Sequence, residues 1–252
     1  AASADAGVGN GAGEIHPPAP RRDLAVGHHH RHQEEPPKNL NAYRITEADR
    51  LGEGGPKLKF QRNIAAIEML RQLDAEERPA TPEEKATLVK YVGWGAMPQV
   101  FDVDNPDWRK EQFRLSEILS DEEHRSARAT TLNAHYTAPT VIGAMYRAAE
   151  RFGFKGGRVL EPAFGIGHFV GRMPEDMLRR STVTGIEIDP LPARIATARY
   201  PDADIRAQPF EQTKLADGFY DLAVSNVPFG DYTVHDPRWN SYKFSIHDYF
   251  FA

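Results

Sequence analysis

With 252 residues, the chain is long enough for one full domain and smaller additions. Its net charge of −5 argues against a strongly basic nucleic-acid-binding surface, and the absence of cysteine excludes disulfides and thiolate metal ligands. No run of about 18 apolar residues occurs, so the sequence predicts no membrane span, and we expect the protein in the reducing cytoplasm.

Residues 1–38 have a composition that predicts a disordered tail. They are rich in Gly, Ala, Pro and charged residues, and they contain very few branched or aromatic apolar residues. His28, His29, His30 and His32 form a cluster that can in principle bind a transition metal. The spacing of this cluster matches no closed metal site, so we interpret it as a solvated tail or a cloning remnant and predict no metal site.

Residues 39–130 are predicted to form a helical N-terminal subdomain. Thr81, followed by Pro82 and two glutamates, predicts the start of one helix, and the charged residues 107–128 are typical of another. Trp94 lies between two glycines, and a core anchor explains it better than a ligand contact, although both interpretations remain open. The clearest helix, in residues 57–80, has one apolar face: Phe60, Ile64, Ile67, Leu70 and Leu73.

Residues 131–252 alternate between helix and strand patterns. A helix is predicted to begin at Thr137 and to end at Gly153, and two further helices are expected over residues 168–180, where the helix is broken, and 191–200. The order of elements predicts an α/β fold with a mostly parallel, Rossmann-like sheet. Its four strands are expected at residues 158–161, at 182–189, near Ile205 and at 220–226.

The loop that follows the first predicted strand, LEPAFGIGHF (160–169), has the features of a ligand-binding loop. Gly165 and Gly167 allow a tight turn and a close approach of the backbone to a ligand at the carboxyl edge of the sheet. A dinucleotide-binding loop requires a small residue where this chain has Val170, which argues against NAD. Glu161 would repel a phosphate but suits a ligand that carries an ammonium group.

An acidic residue at the end of the second predicted strand completes this pattern. Glu187 follows Gly165 by about 20 residues, the position at which an acid commonly hydrogen-bonds ribose hydroxyls. Asp189 is a neighbouring candidate, but Glu187 is closer to the tip of the strand. Together with Glu161, Glu187 favours S-adenosylmethionine over NAD as the cofactor.

The fourth predicted strand continues into the tetrapeptide Asn226-Val227-Pro228-Phe229, which suits a flat ring that carries an amino group. The side-chain oxygen of Asn226 and the carbonyl of Val227 can accept the two amino hydrogens and favour the charge that develops on nitrogen. Pro228 would fix the turn, and Phe229 would stack on a base that has turned out of a duplex. Because strand ends meet at one sheet edge, the tetrapeptide should face the glycine loop.

These motifs resemble those of the S-adenosylmethionine-dependent adenine-N6 DNA methyltransferases, with LEPAFGIGHF as cofactor loop and NVPF as catalytic tetrapeptide. HYTAP (135–139) resembles the segment that folds over the methionine end of the cofactor. PKLKFQRNIAAIEML, YVGWGAMPQVFD and FSIHDYFF resemble the N-terminal part of large methylase–helicase fusion proteins of bacteria, plasmids and phages. The resemblance covers about residues 40–252.

The resemblance implies a Rossmann-like methyltransferase domain over residues 131–252 and a set of site residues. This chain departs from the family pattern at Val227, where proline is usual, and at Gln208, where an acid commonly contacts the adenine of the cofactor. The implied catalytic residues are Asn226, Val227, Pro228 and Phe229. The implied cofactor-binding residues are Thr137, Glu161, Pro162, Gly165, Gly167, Phe169, Glu187 and Gln208, with Glu161 at the methionine portion and Glu187 at the ribose.

The implied activity is methyl transfer to the N6 amino group of adenine in DNA, with DNA as partner and a helicase region in the same full-length chain. Two alternatives remain open: a cofactor- or DNA-binding module without turnover, and a protein-glutamine methyltransferase, whose planar amide needs the same two acceptors. The family fold continues beyond four strands, and a sheet that ended there would leave an open edge. We therefore expect the sheet to be incomplete at its C-terminus and residues 1–252 to be a fragment of a longer protein.

Overall fold

The computed structural model describes residues 41–132, 137–230 and 233–251, which belong to one compact unit, Pro37–Ala252. The predicted tail, its histidine cluster and the first two residues of HYTAP lie outside the described residues. In the described part of the chain, no helix is both long enough and apolar enough to cross a membrane.

Four helices precede the sheet in the chain, and we call them the helical layer: α1 (Pro56–Glu76), α2 (Pro82–Leu88), α3 (Arg109–Ile118) and α4 (Asp121–Ala129). The five apolar residues predicted to share one face of α1 are all buried. The Thr81 hydroxyl accepts from the amide of Glu84, whose carboxylate accepts from the amide of Thr81, so a reciprocal cap starts α2 as predicted.

The charged stretch 107–128 forms two helices rather than one, because Ser120 caps a new helix start through the amide of Glu123. Trp94 is fully buried and packs against Phe60, Tyr91 and Phe101, so its interpretation as a core anchor is confirmed. Short 3-10 helices lie at Glu47–Asp49, Pro98–Phe101, Pro106–Trp108, Thr130–Leu132, Phe210–Gln212 and Asn240–Tyr242.

The predicted α/β fold is confirmed. The parallel four-stranded sheet has the order β3-β2-β1-β4, which brings the ends of all four strands to one edge. The strands are β1 (Arg158–Glu161), β2 (Thr182–Glu187), β3 (Asp204–Ala207) and β4 (Leu222–Ala223). The helices of this part are α5 (Pro139–Arg151), α6 (His168–Arg172), α7 (Glu175–Arg179), α8 (Pro190–Arg199) and α9 (Ile246–Phe251).

Strand β4 is shorter than the predicted 220–226, and its neighbour explains the difference. The amides of Asp221 and Val224 bond the carbonyls of β1 residues at 2.8 and 3.0 Å, so pairing extends only slightly beyond the strand. β1 ends at Glu161, and Pro162 has no amide hydrogen to continue the ladder. The tetrapeptide Asn226-Val227-Pro228-Phe229 therefore leaves the sheet without regular structure.

The helical layer shares one of the two hydrophobic cores of the described chain with α8 and the glycine loop. Leu191 and Ile195 of α8, together with Ile166 of the glycine loop, pack in the same cluster as the buried face of α1. Arg194 of α8 forms ion pairs with Asp74 and Glu123 of the helical layer. A domain boundary near residue 130 stays a prediction, and packing across it is continuous.

An N-terminal strap, residues 41–46, packs against the second hydrophobic core, which contains Val170 and Met173. The amide of Ile45 donates to the Gly171 carbonyl at 2.9 Å, and Arg44 donates to the carbonyls of Val170 and Met173. A Cβ at position 171 would lie 2.6 Å from the Ile45 side chain, so only glycine allows the strap to lie this close to α6.

Candidate functional site

A cavity of about 510 Å³ opens at the carboxyl ends of the strands. This volume falls in the range of small-molecule and cofactor sites. All of the predicted site residues except Gly167 and Phe229 line it: Thr137, Glu161, Pro162, Gly165, Phe169, Glu187, Gln208, Asn226, Val227 and Pro228.

The glycine loop is bonded to the end of β2. The amide of Phe164 donates to the Ile186 carbonyl at 2.8 Å, and the amide of Gly165 donates to the Glu187 carboxylate at 2.6 Å. Gly165 has a φ of 54°, in the left-handed region that favours glycine. The loop therefore keeps its backbone against the cavity with its turn already formed.

Gly167 lies behind the cavity wall rather than in it. Its φ is 81°, and a Cβ there would lie 2.4 Å from the Tyr200 ring and 2.7 Å from the Phe164 ring. The structure thus gives this glycine a packing role, because the two rings occupy the space that a side chain would need. A contact between Gly167 and a cofactor stays a prediction.

The carboxylate of Glu161 is the most unusual group of the cavity. The residue is only 2% exposed, and no group among the described residues hydrogen-bonds its Oε2 atom. Burial, with a contribution from the negative charge of Glu187, raises the pKa of Glu161 well above its usual range. A cation in the cavity would offset both effects, so the site favours a positively charged ligand group.

Glu187 is held in one orientation by two backbone amides. Its Oε2 atom accepts from Gly165, and its Oε1 atom accepts from Asp189 at 2.8 Å. Burial nevertheless raises the pKa of Glu187 to about 7, since these two bonds only partly offset the loss of water. Asp189, the alternative ribose ligand, also lines the cavity, and its Oδ1 atom accepts from the amide of Leu191 to cap α8.

The tetrapeptide forms the wall that faces these acids. Asn226, Val227 and Pro228 line the cavity, whereas Phe229 is 42% exposed and lies outside the lining. Gln208 also reaches the cavity, and its amide nitrogen donates to the Thr213 hydroxyl at 2.8 Å, which orients the side chain.

The sequence interpretation missed several lining residues, some of which come from distant parts of the chain. Tyr91 and Thr130 of the helical layer line the cavity, although only Tyr91 lies in a motif that drew attention, YVGWG. His168 also lines the cavity, and its position directly after Gly167 could have indicated this from the sequence. Burial, with the nearby charges of Arg199 and Arg172, lowers the pKa of His168 to about 3, so this imidazole is neutral.

A buried arginine holds the far end of the glycine loop. Arg199 donates to the Ile166 carbonyl at 2.5 Å and to the Tyr200 hydroxyl at 2.9 Å. That hydroxyl donates in turn to the Gly167 carbonyl at 2.8 Å. Within the described ranges, no group of three or more His, Cys, Asp or Glu residues could hold a metal ion.

Comparisons with known proteins give few matches. No protein-family model and no curated protein matches the chain. A solved structure from Listeria monocytogenes, described as a class I S-adenosylmethionine-dependent methyltransferase, aligns with a TM-score of 0.37 and 17% sequence identity. The alignment covers 74% of this chain and 63% of that protein, so the chain spans less than two thirds of its length. We therefore base the proposed function on the cavity rather than on this alignment.

Proposed function

We propose that this chain transfers a methyl group from S-adenosylmethionine to the N6 amino group of adenine in DNA. One observation carries the proposal: a single cavity is lined by the strand-tip acids Glu161 and Glu187 and by the tetrapeptide residues Asn226 and Val227. The acids suit a cationic, ribose-containing cofactor, and the tetrapeptide suits an amino group on a planar ring.

The fit to the cofactor rests on Glu161, Glu187 and the glycine loop. The free Oε2 atom of Glu161 can accept from the ammonium group of the methionine portion, which would also stabilise the buried charge. Glu187 keeps lone pairs for ribose hydroxyls while it accepts from the amide of Gly165. When bound, S-adenosylmethionine supplies an electrophilic methyl group on its sulfonium centre.

The tetrapeptide would activate and position the accepting nitrogen. The lone pair of an exocyclic amino group is delocalised into the ring, so the nitrogen must become more tetrahedral before it attacks. The Asn226 side-chain oxygen and the Val227 carbonyl accept the two amino hydrogens and stabilise this change. Pro228 restricts the turn that leads to Phe229, which is exposed and would stack on the extruded base.

DNA is the proposed partner despite the net charge of −5. Phosphate contacts and base reading commonly come from regions outside the catalytic wall, so the surface charge of this part need not be positive. We propose that a helicase region of the same full-length protein, as in the methylase–helicase fusions, supplies much of the DNA binding.

The test is transfer of a radiolabelled methyl group by the full-length protein to DNA, RNA and protein substrates. We expect the label in N6-methyladenine of DNA, and we expect Asn226→Ala to remove it. Label in protein glutamine would instead support the alternative substrate. Preference for NAD over S-adenosylmethionine in calorimetry would contradict the proposal.

A second candidate is a cofactor- or DNA-binding module without turnover. It is favoured by the valine at position 227 and by the exposure of Phe229 outside the cavity lining. Cofactor binding with no methyl transfer to any of the three substrates would support this second candidate.

A further inference from the structure

Three aromatic side chains form a cluster on the surface near the cavity, and we call Trp239, Tyr242 and Phe244 the aromatic surface cluster. The ring centroids of Tyr242 and Phe244 are 5.2 Å apart at an interplanar angle of 9°, and Trp239 lies 5.9 and 6.1 Å from them. Tyr242 is 56% exposed, and none of the three rings belongs to the two hydrophobic cores of the described chain.

The backbone of the cluster adopts an unfavourable conformation. Lys243, between the two stacked rings, has a φ of 50° and a ψ of 41°, in the left-handed region that a residue with a Cβ rarely adopts. Lys243 is the C-cap of the 3-10 helix Asn240–Tyr242, and its amide donates to the Asn240 carbonyl, as is common where a helix ends. Here this conformation accompanies the face-to-face stacking of Tyr242 and Phe244 on the surface.

The cluster is connected to the rim of the cavity. His235 lines the cavity, and its Nδ1 atom lies 3.4 Å from the side-chain amide nitrogen (Nδ2) of Asn240. Asn240 follows Trp239 directly in the chain. Asp236, buried under this segment, accepts hydrogen bonds from Arg238 and from the Tyr249 hydroxyl at 2.8 Å. These bonds fix the segment to α9, so the rings keep their position relative to the rim.

We infer that the aromatic surface cluster binds the bases of single-stranded DNA beside the target nucleotide. The π faces of such rings stack on any base, and Lys243 is an exposed cation for a neighbouring phosphate. The residues 238–244 carry two positive charges and no negative charge, although Arg238 is paired with Asp236. The statement that the bound DNA strand continues from the cluster into the cavity rests on the proposed function.

The size of the cluster favours a nucleic acid strand over a protein partner. An aromatic side chain can bury about 150–250 Å² when it is fully covered, and these three rings already cover part of one another. Their remaining area falls well below the roughly 800 Å² per partner of a stable protein interface. Two or three stacked bases need no larger surface than this.

The test is fluorescence anisotropy with the full-length protein, without cofactor, and a labelled oligonucleotide of about 12 deoxythymidines, within known single-strand site sizes. We expect Tyr242→Ala to weaken binding by about 5- to 150-fold, the range for loss of one stacked base. Tyr242→Phe should keep the affinity because it keeps the ring. Phe152→Ala is the matched control, since Phe152 is a 92% exposed aromatic residue outside the cluster.

Three results would overturn the inference: unchanged affinity of Tyr242→Ala, equal binding of an abasic strand of the same length, or a preference for RNA. If Tyr242→Ala abolished self-association in ultracentrifugation but left DNA binding unchanged, the cluster would be a contact between two copies of the chain, and the inference would also be overturned. The proposed function is tested separately. Ring-dependent DNA binding without methyl transfer would refute only that function, whereas methyl transfer with ring-independent binding would refute only this inference.

Discussion

The two walls of the cavity are held in place in different ways. On one wall, backbone hydrogen bonds fix the glycine loop to β2, and Glu187 accepts from two amides. On the other wall, the tetrapeptide follows the two-residue strand β4 and has no regular structure of its own. The first wall can therefore be complete before a ligand binds, whereas the second depends on few sheet contacts. We expect substitutions on the first wall to change cofactor affinity and those on the second to change the rate.

The largest expected effect separates the two walls most clearly. Asn226→Ala should lower kcat by about 10²–10³-fold, because an acceptor that matters mainly in the transition state is removed. The Kd for S-adenosylmethionine, measured by calorimetry, should stay unchanged. Asn226→Asp, which keeps a side-chain oxygen, is the matched comparison. A kcat equal to that of the parent would show that Asn226 has no catalytic role.

On the opposite wall, Glu187→Ala should weaken binding of S-adenosylmethionine by about 1.5–3 kcal/mol, the range for a hydrogen bond to a charged group. The change also leaves the amides of Gly165 and Asp189 without their acceptor. Glu150→Ala, which removes an exposed carboxylate from α5, should not alter the affinity. Unchanged calorimetric affinity in Glu187→Ala would exclude Glu187 as the ribose ligand.

The buried acids predict a pH dependence that belongs to the first wall alone. The pKa of Glu187 is raised to about 7 in the folded state, so the folded chain binds more protons than the unfolded chain between about pH 4.5 and 7. Glu187 therefore makes the free energy of unfolding fall as pH rises through this window, by up to about 1.4 kcal/mol per pH unit. His168 acts in the opposite direction up to about pH 6.5, because burial lowers its pKa from 6.5 to about 3.

Glu161→Gln should make this fall smaller, because the pKa of Glu161 is raised in the same direction. Denaturant titrations of the ligand-free protein at several pH values provide the measurement, with the exposed Glu122→Gln as control. The same pH dependence in Glu161→Gln as in the parent would contradict a raised pKa of Glu161.

The smallest effect concerns Val227. Val227→Pro should raise the free energy of unfolding by about 0.4–1 kcal/mol if the backbone there is already compatible with proline. The rate should stay the same or rise by a few-fold, because only the carbonyl of this residue takes part in the chemistry. A loss of activity together with a loss of stability would indicate that the tetrapeptide turn differs from that of the family.

The sequence predicted the features that depend on local patterns. The strands predicted at 158–161 and 182–189, the second of which ends at Glu187 in the structure, follow from periodicity. The cap at Thr81 follows from a local motif, and the gathering of Glu161, Glu187 and Asn226 at one edge follows from parallel topology. The role of Gly167 could not be predicted, because the ring that requires a glycine there belongs to Tyr200, a residue distant in sequence.

The same limit applies to the parts of the cavity wall that come from the helical layer. Tyr91 lines the cavity because α8 packs on the helical layer. The sequence of α8 contains no pattern from which this packing could be predicted. The length of β4 was also overestimated, since it depends on where its neighbour β1 meets Pro162.

The N-terminal strap has a consequence for the synthesis of the protein. Arg44 is translated 129 residues before Met173, whose carbonyl it binds. At about 5–20 residues per second, a ribosome needs roughly 6–25 s to cover that distance. During this delay the apolar face of Ile45 and the buried face of α1 have no partner from α6 or α8. We therefore expect Ile45 and the part of α1 that packs on α8 to be open to chaperones until α6 and α8 have left the ribosome.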